Sequence, residues 1–390
     1  MEPFNFSLPT GVVFGPGSVS RLPQAVAGLG SRALLVTYPD VMRATGILTT
    51  VTDLLDEAGV AVLVDEGVEP NPRAEYVDRL AKVARDEGCS FVVGLGGGSA
   101  MDAAKAIAFA AANGTSVLDY LPGGSNPWAV GVRDALPIVT ITTTAGTGSE
   151  VTRIAVITDT QRHYKPGVVH PSLYPKVSIV DPNLMLGVPA EVTATTGVDV
   201  LFHALEAYLS RGANLFSDLF GQEAIRLTVA NLETAFHDGS DLVARTNMAW
   251  ASTLAGVAFD NANVVAIHAI GQCIGGHTDS VHGKTMAALG PAYLGYTYQS
   301  DPARYARFAR LLGRSGEGIS ETELAKQSSD ALKEFLAKVG LDITASSLGV
   351  TEDMIDTIAE EAFLTMGPCM GSSLADLDEA DAAEILRRSM

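Results

Sequence analysis

The hydrophobic period of this chain changes once, near Pro189, and that single change sets the architecture. Before it, apolar runs rich in strand-forming residues alternate with amphipathic stretches. RALLVT (32–37), VAVLVDEG (60–67), SFVVGLGGGS (90–99) and PIVTITTTAGTGSE (137–150) read as strands, the last two entering loops. ILTTVTDLLDEAG, residues 74–87 and a segment starting near Met101 read as helices between them. A βαβα rhythm of this kind predicts a parallel, doubly wound sheet. The opening FNFSLPTGVVFGPGS reads as a strand or hairpin at the sheet edge. After Pro189 strand runs become scarce. Helical periodicity covers 191–210, 216–235, 241–258, 262–275, 284–298, 302–313, 320–339, 351–365 and 376–388. The expected domains are an α/β domain over 1–188 and an all-helical domain over 189–390. At 390 residues two domains suit the length, since cores stop growing at roughly 250–300 residues.

FVVGLGGGSAMDAAKAIA places Gly94, Gly96, Gly97 and Gly98 after a strand and before a helix. Glycine lets backbone approach a phosphate, and a helix N-terminus offers free N–H groups. The context suits a pyrophosphate, although the ordinary G-x-G-x-x-G fingerprint of a first βαβ unit is absent. A tight βα turn is the structural alternative. The loop TTTAGTGSEVT adds the hydroxyls of Thr143, Thr144 and Thr147 at another strand end.

Asp199 and His203 stand four apart in TGVDVLFHALEAYLS, on one face of a helix. His268 lies in NVVAIHAIGQ and His282 in DSVHGKTMAALGP. The chain has seven histidines, and three fall in this set. One carboxylate and three imidazoles suit Fe(II) or Zn(II) if they converge. Spacing leaves other roles open: a cap at Asp199 or His282, a buried histidine at His203 or His268.

The formal net charge of −19 argues against nucleic acid as a partner, which needs a basic surface. Cys89, Cys273 and Cys369 are too scattered for a disulfide framework. The N-terminus shows no secretory pattern, and AIAFAAA is too short to span a bilayer. A cytoplasmic protein without membrane attachment is expected. A homo-oligomer is expected too, with the dimer as the commonest symmetric form.

TTAGTGSEVT, GGGSAMDAAK, TGVDVLFHALEAYLS and IHAIGQCIGG…HG together resemble the iron-containing (group III) alcohol dehydrogenases. That family includes lactaldehyde reductase, propanediol dehydrogenase and butanol dehydrogenases. The resemblance runs over nearly the whole chain. It implies a dehydroquinate synthase-like architecture, with a nucleotide-binding α/β domain followed by a helical domain. It also implies hydride transfer between NAD or NADP and a small alcohol or aldehyde. The family's metal ligands would fall on Asp199, His203, His268 and His282. Its cofactor loop would fall on Gly96, Gly97, Gly98 and Ser99, with Asp102 in the helix behind. Thr143, Thr144 and Thr147 would form the second cofactor loop, Asn71 would lie near the cofactor, and Lys165 near the nicotinamide ribose. Phe259 matches a substrate-pocket position. A hydroxyacid–oxoacid transhydrogenase, a lyase of the dehydroquinate synthase type and a non-catalytic scaffold are the competing readings.

Two positions depart from the family pattern. Many relatives carry a relay histidine four residues after the third ligand; here it is Gln272. His277 is the expected substitute relay, since an imidazole titrates near neutrality. NAD-preferring relatives carry an aspartate after the first nucleotide-domain strand, where it repels a 2′-phosphate. Here Tyr38 stands there, so acceptance of NADPH is expected.

Overall fold

The structure, a computed structural model, describes residues 3–162 and 164–390. Two compact units divide it: Leu8–Val188, and Pro189–Met390 together with the segment ending at Ser7.

In the first unit, strands β1 (Gly11–Phe14), β2 (Arg32–Thr37), β3 (Ala61–Asp65), β4 (Phe91–Gly96), β5 (Ile138–Thr142) and β8 (Val177–Val180) form one sheet. Its order is β1-β8-β5-β4-β2-β3, and every pairing is parallel. The helices are two single turns, α1 (Leu22–Ala25) and α2 (Val41–Ala44), then α3 (Ile47–Glu57), α4 (Ala74–Asp86) and α5 (Gly98–Asn113). A strand's period of two sends alternate residues to opposite faces. Leu34 and Val36 enter one apolar cluster with α4 and α5, while Ala33 and Leu35 enter another with α3. Both faces are therefore covered, as parallel sheets require, and the strands read as continuous apolar runs. Each large side chain so buried contributes about 2 kcal/mol.

The strand order carries a functional consequence. From β2 the chain moves outward to β3, then returns on the other side of β2 as β4. The C-terminal ends of β2 and β4 flank the point where the winding reverses, the usual ligand crevice of such sheets. Tyr38 follows β2, and Gly96–Gly98 lie at the end of β4 and the start of α5.

At the sheet edge the strand alternative holds over the hairpin, because β1 pairs in parallel with β8 from Gly11↔Val177 to Phe14↔Val180. Periodicity gives no sign of β8, nor of a short antiparallel pair, β6 (Ile154–Val156) and β7 (Gly167–Val169).

The second unit contains α6 (Ala190–Tyr208), α7 (Leu215–His237), α8 (Leu242–Ala262), α9 (Ala266–Thr278) and α10 (His282–Thr297). It continues with α11 (Pro302–Leu311), α12 (Glu321–Lys326), α13 (Ser328–Lys338), α14 (Ile355–Gly371) and α15 (Glu379–Arg388). From Thr193 to Tyr208, α6 is buried almost all round, as a central core helix is. It packs against α7, α8 and α10. The gap expected between the helices over 241–258 and 262–275 falls later, at 263–265, where Asn263 with a positive φ of 72° ends α8. The stretch over 320–339 is two helices, parted at Gln327. α14 outruns its expected end and kinks at Met366, two residues before Pro368. Phe6 packs against Phe216 and Phe220 at centroid distances of 4.6 and 5.9 Å, which ties the N-terminal segment to α7. No single helix among the described residues is long and apolar enough to cross a membrane.

Candidate metal centre and nucleotide loop

α6, α9 and α10 bring the four expected metal residues together. Asp199 and His203 face the same way on α6, His268 sits in the first turn of α9, and His282 opens α10 rather than capping a preceding helix. Asp199, His203 and His268 are buried and His282 is half-buried. Asp199 Oδ1 lies 3.4 Å from His203 Nδ1, 3.8 Å from His268 Nε2 and 3.6 Å from His282 Nε2. The Nε2 atoms of His203 and His268 are 3.1 Å apart. Bonds of about 2.0–2.2 Å to one ion separate tetrahedral ligands by roughly 3.3–3.6 Å, close to the spacings of Asp199 Oδ1 from the Nε2 atoms of His282 and His268. Asp199, His268 and His282 each offer an atom within 4.8 Å of the others'. The His203 ring lies against the same atoms, stacked on Phe259 at 4.4 Å and 22°.

The donor set fits a dication. Asp199 Oδ1 is buried and accepts no hydrogen bond, an arrangement that costs free energy without a cation beside it. Burial pushes the Asp199 carboxyl above its usual range, partly offset by His282 and His268. Burial acts to lower the His268 pKa, but Glu206 and then Asp199 outweigh it and raise it overall.

On the sheet unit, the glycine loop and threonine loop meet. A Cβ on Gly97 would stand 2.7 Å from Thr144 Oγ1, and one on Gly98 would stand 2.4 Å from Thr147 Cγ2. Gly96 has φ of +148°, and a Cβ there would meet the Tyr38 ring at 2.7 Å. Tyr38, Thr144 and Thr147 are thus packed directly on the backbone that opens α5, leaving its first N–H groups in a cradle only glycine permits.

Family profiles for iron-containing alcohol dehydrogenase match residues 9–182, and for the C-terminal region of the Fe-containing alcohol dehydrogenase family residues 193–390. The chain belongs to the iron-containing alcohol dehydrogenases. It is 38% identical to 1,3-propanediol dehydrogenase of Citrobacter freundii, over 99% of this chain and 98% of that protein. It is 34% identical to NAD-dependent methanol dehydrogenase of Bacillus methanolicus, over 99% and 100% of the two chains. Among solved structures, an archaeal alcohol dehydrogenase from a Red Sea brine pool superposes with a TM-score of 0.95 at 34% identity, covering 100% of both chains. This iron-containing alcohol dehydrogenase is therefore an oxidoreductase whose family pairs a metal with a nicotinamide cofactor.

The remaining expected residues divide. The Asn71 N–H donates to Ser99 Oγ at 3.3 Å, and its φ of 58° turns the EPNP segment toward the glycine loop. Asp102 points inward: its carboxylate accepts from Ser149 Oγ at 2.6 Å and from the Val156 N–H at 3.0 Å. Burial raises its pKa, with Lys105, Ser149 and Val156 pulling it down. Asp102 thereby anchors the threonine loop to α5. Lys165, half-buried, lies between β6 and β7. Thr143 is buried at the end of β5, its N–H bonded to the Gly96 carbonyl at 3.1 Å. Gln272 is one turn beyond His268 on the same face of α9. His277 is not brought to the cluster. Nine helical residues carry it about half a turn round and roughly 13.5 Å along from His268. Its Nε2 meets Glu361 at 2.7 Å, on a partly exposed surface.

Two site residues escaped the sequence. Glu206, fully buried, holds His268 Nδ1 at 2.5 Å. The available signal was its position seven residues after Asp199, on the same helix face. Lys105, also fully buried, donates to Ser149 Oγ at 2.8 Å and to the Thr152 and Ile154 carbonyls at 2.9 Å. A charge inside the apolar run AAKAIAFAAA was the sign there.

Proposed function

We propose that the chain interconverts small primary or secondary alcohols with their aldehydes or ketones, using NAD or NADP and a divalent metal held by Asp199, His203, His268 and His282. The observation that carries this reading is the buried Asp199 oxygen ringed by three imidazole nitrogens at 3.4–3.8 Å. Fe(II) or Zn(II) bound by these residues would supply Lewis-acid polarisation of a substrate oxygen. The chain's own residues do the rest. Gly96, Gly97 and Gly98 give a pyrophosphate close access to the α5 N-terminus, with Ser99, Thr144 and Thr147 beside it. Phe259 fixes the His203 ring by stacking and bounds the space next to it. Relatives named for 1,3-propanediol, methanol and long-chain alcohols support an alcohol substrate. The test is metal analysis of the purified protein, followed by a panel of alcohols and aldehydes with each nicotinamide. Turnover of none of them by metal-replete protein would overturn the reading.

Tyr38 sets the expected cofactor tolerance. Burial raises its phenol pKa, so the side chain is neutral at pH 7 and carries no charge against a 2′-phosphate. NADPH is expected within about tenfold of NADH in kcat/KM, ~1.4 kcal/mol of discrimination. Turnover with NADH alone contradicts this.

The offset of His277 from His268, and its pairing with Glu361, argue against a relay through His277. His277→Gln is therefore expected to leave the pH dependence of kcat/KM unchanged; loss of a limb of that profile would restore the relay. We further propose a homodimer in a reducing cytoplasm. Three free, buried cysteines suit reducing surroundings, and α7 leaves Leu215 and Leu219 exposed for a second copy to cover. Light scattering checks the dimer.

A further inference from the structure

We propose that Glu206 is a positioning residue that serves two elements at once: it fixes the ring of His268 for metal binding and caps the helix that carries it. The inference rests on the metal-site reading above. Glu206 comes from α6 and is fully buried. Its Oε1 meets His268 Nδ1 at 2.5 Å. Its Oε2 accepts from the Val265 N–H at 2.8 Å and the His268 N–H at 3.3 Å. Ser373 Oγ takes the next free donor, the Ala266 N–H, at 3.2 Å. These are N–H groups that the start of α9 cannot satisfy internally.

A carboxylate accepts at both oxygens and donates at neither. Glu206 therefore makes Nδ1 the protonated nitrogen of His268 and turns the Nε2 lone pair toward Asp199, 3.8 Å away. The same rigid group sets the position of the first turn of α9. Glutamine cannot replace this arrangement. With its oxygen toward Nδ1, its NH₂ faces two backbone donors; flipped, it faces the imidazole with a donor and favours the tautomer whose Nε2 carries the proton.

The test uses full-length protein stripped of metal and titrated with Co(II) against a chromogenic chelator, with circular dichroism to establish folding. Glu206→Gln and Glu206→Asp are each expected to bind Co(II) about 10–100-fold more weakly than wild type. Ser373→Ala removes a capping contact without touching the imidazole. It is expected to lower the melting temperature yet keep wild-type Co(II) affinity. Either folded Glu206 variant binding within twofold of wild type overturns the proposal, as does an equal loss of affinity in Ser373→Ala. Failure of the wild-type chain to bind Co(II) would instead overturn the metal-site reading.

Discussion

Asp199→Asn is expected to lose the metal and, with it, at least about 10³-fold in kcat/KM, ~4 kcal/mol of transition-state stabilisation. The substitution changes no volume, so packing of α6 against α7 and α8 is preserved. What it removes is the one anion that three imidazole nitrogens surround at 3.4–3.8 Å. A neutral amide binds a hard dication far more weakly. The sign of the stability effect is opposite. Burial raises the folded-state pKa of Asp199 above its unfolded value. A raised carboxyl pKa contributes stability below the unfolded pKa, and that contribution is lost as pH rises through the folded pKa. Once ionised without a metal, the side chain is therefore a cost to the fold. Metal-free Asp199→Asn should melt no lower than metal-free wild type, while the metal-loaded proteins should differ strongly in wild type's favour. Elemental analysis, steady-state kinetics and paired melting curves check all three parts. A variant that keeps stoichiometric metal sinks the assignment of Asp199.

The fold was legible wherever one residue pattern had one physical meaning. β2 and β4 are fully sandwiched, so RALLVT and FVVGLG are unbroken apolar runs. β8 was hidden because four residues between Lys176 and Asp181 carry too little pattern to separate a strand from a loop. The gap between α8 and α9 was legible but not its position, because the positive φ of Asn263 goes with tertiary contacts such as its amide donating to Ser372 Oγ at 3.0 Å. At the site, Asp199, His203, His268 and His282 stood out by residue type. Glu206 did not, because a glutamate on a helix ordinarily faces solvent. Only the approach of α9 to α6 turns it into a buried acceptor for three donors. The same limit applies to His277: its residue type suggests a proton carrier, but only its place on α9 shows where it points.

Gly98→Ala is expected to raise KM for the nicotinamide cofactor about 10–100-fold, ~1.4–2.7 kcal/mol, with metal content unchanged. The added methyl would sit 2.4 Å from Thr147 Cγ2 and 2.8 Å from Thr147 Oγ1. Gly98 has ordinary helical backbone, so the effect is purely one of space. Thr147 is β-branched and stiff at χ1, so it must move as a unit. Its Oγ1 accepts from the Ser149 N–H at 3.3 Å, and Ser149 in turn bonds Asp102 and Lys105 at 2.6 and 2.8 Å. Displacement of Thr147 therefore strains the loop that these groups pin to α5, and it disturbs the N–H groups proposed to receive the pyrophosphate. The metal residues belong to the other compact unit and keep their own partners. A compensating change separates crowding from loss of fold. Thr147→Ser deletes the methyl that makes the closest contact, so Gly98→Ala/Thr147→Ser should recover part of the lost affinity. The coupling between the two changes should then be positive and of order 1 kcal/mol. Cofactor titration by fluorescence on the four proteins of the cycle measures it directly. Strict additivity would mean that the glycine serves the loop in some way other than by making room for Thr147.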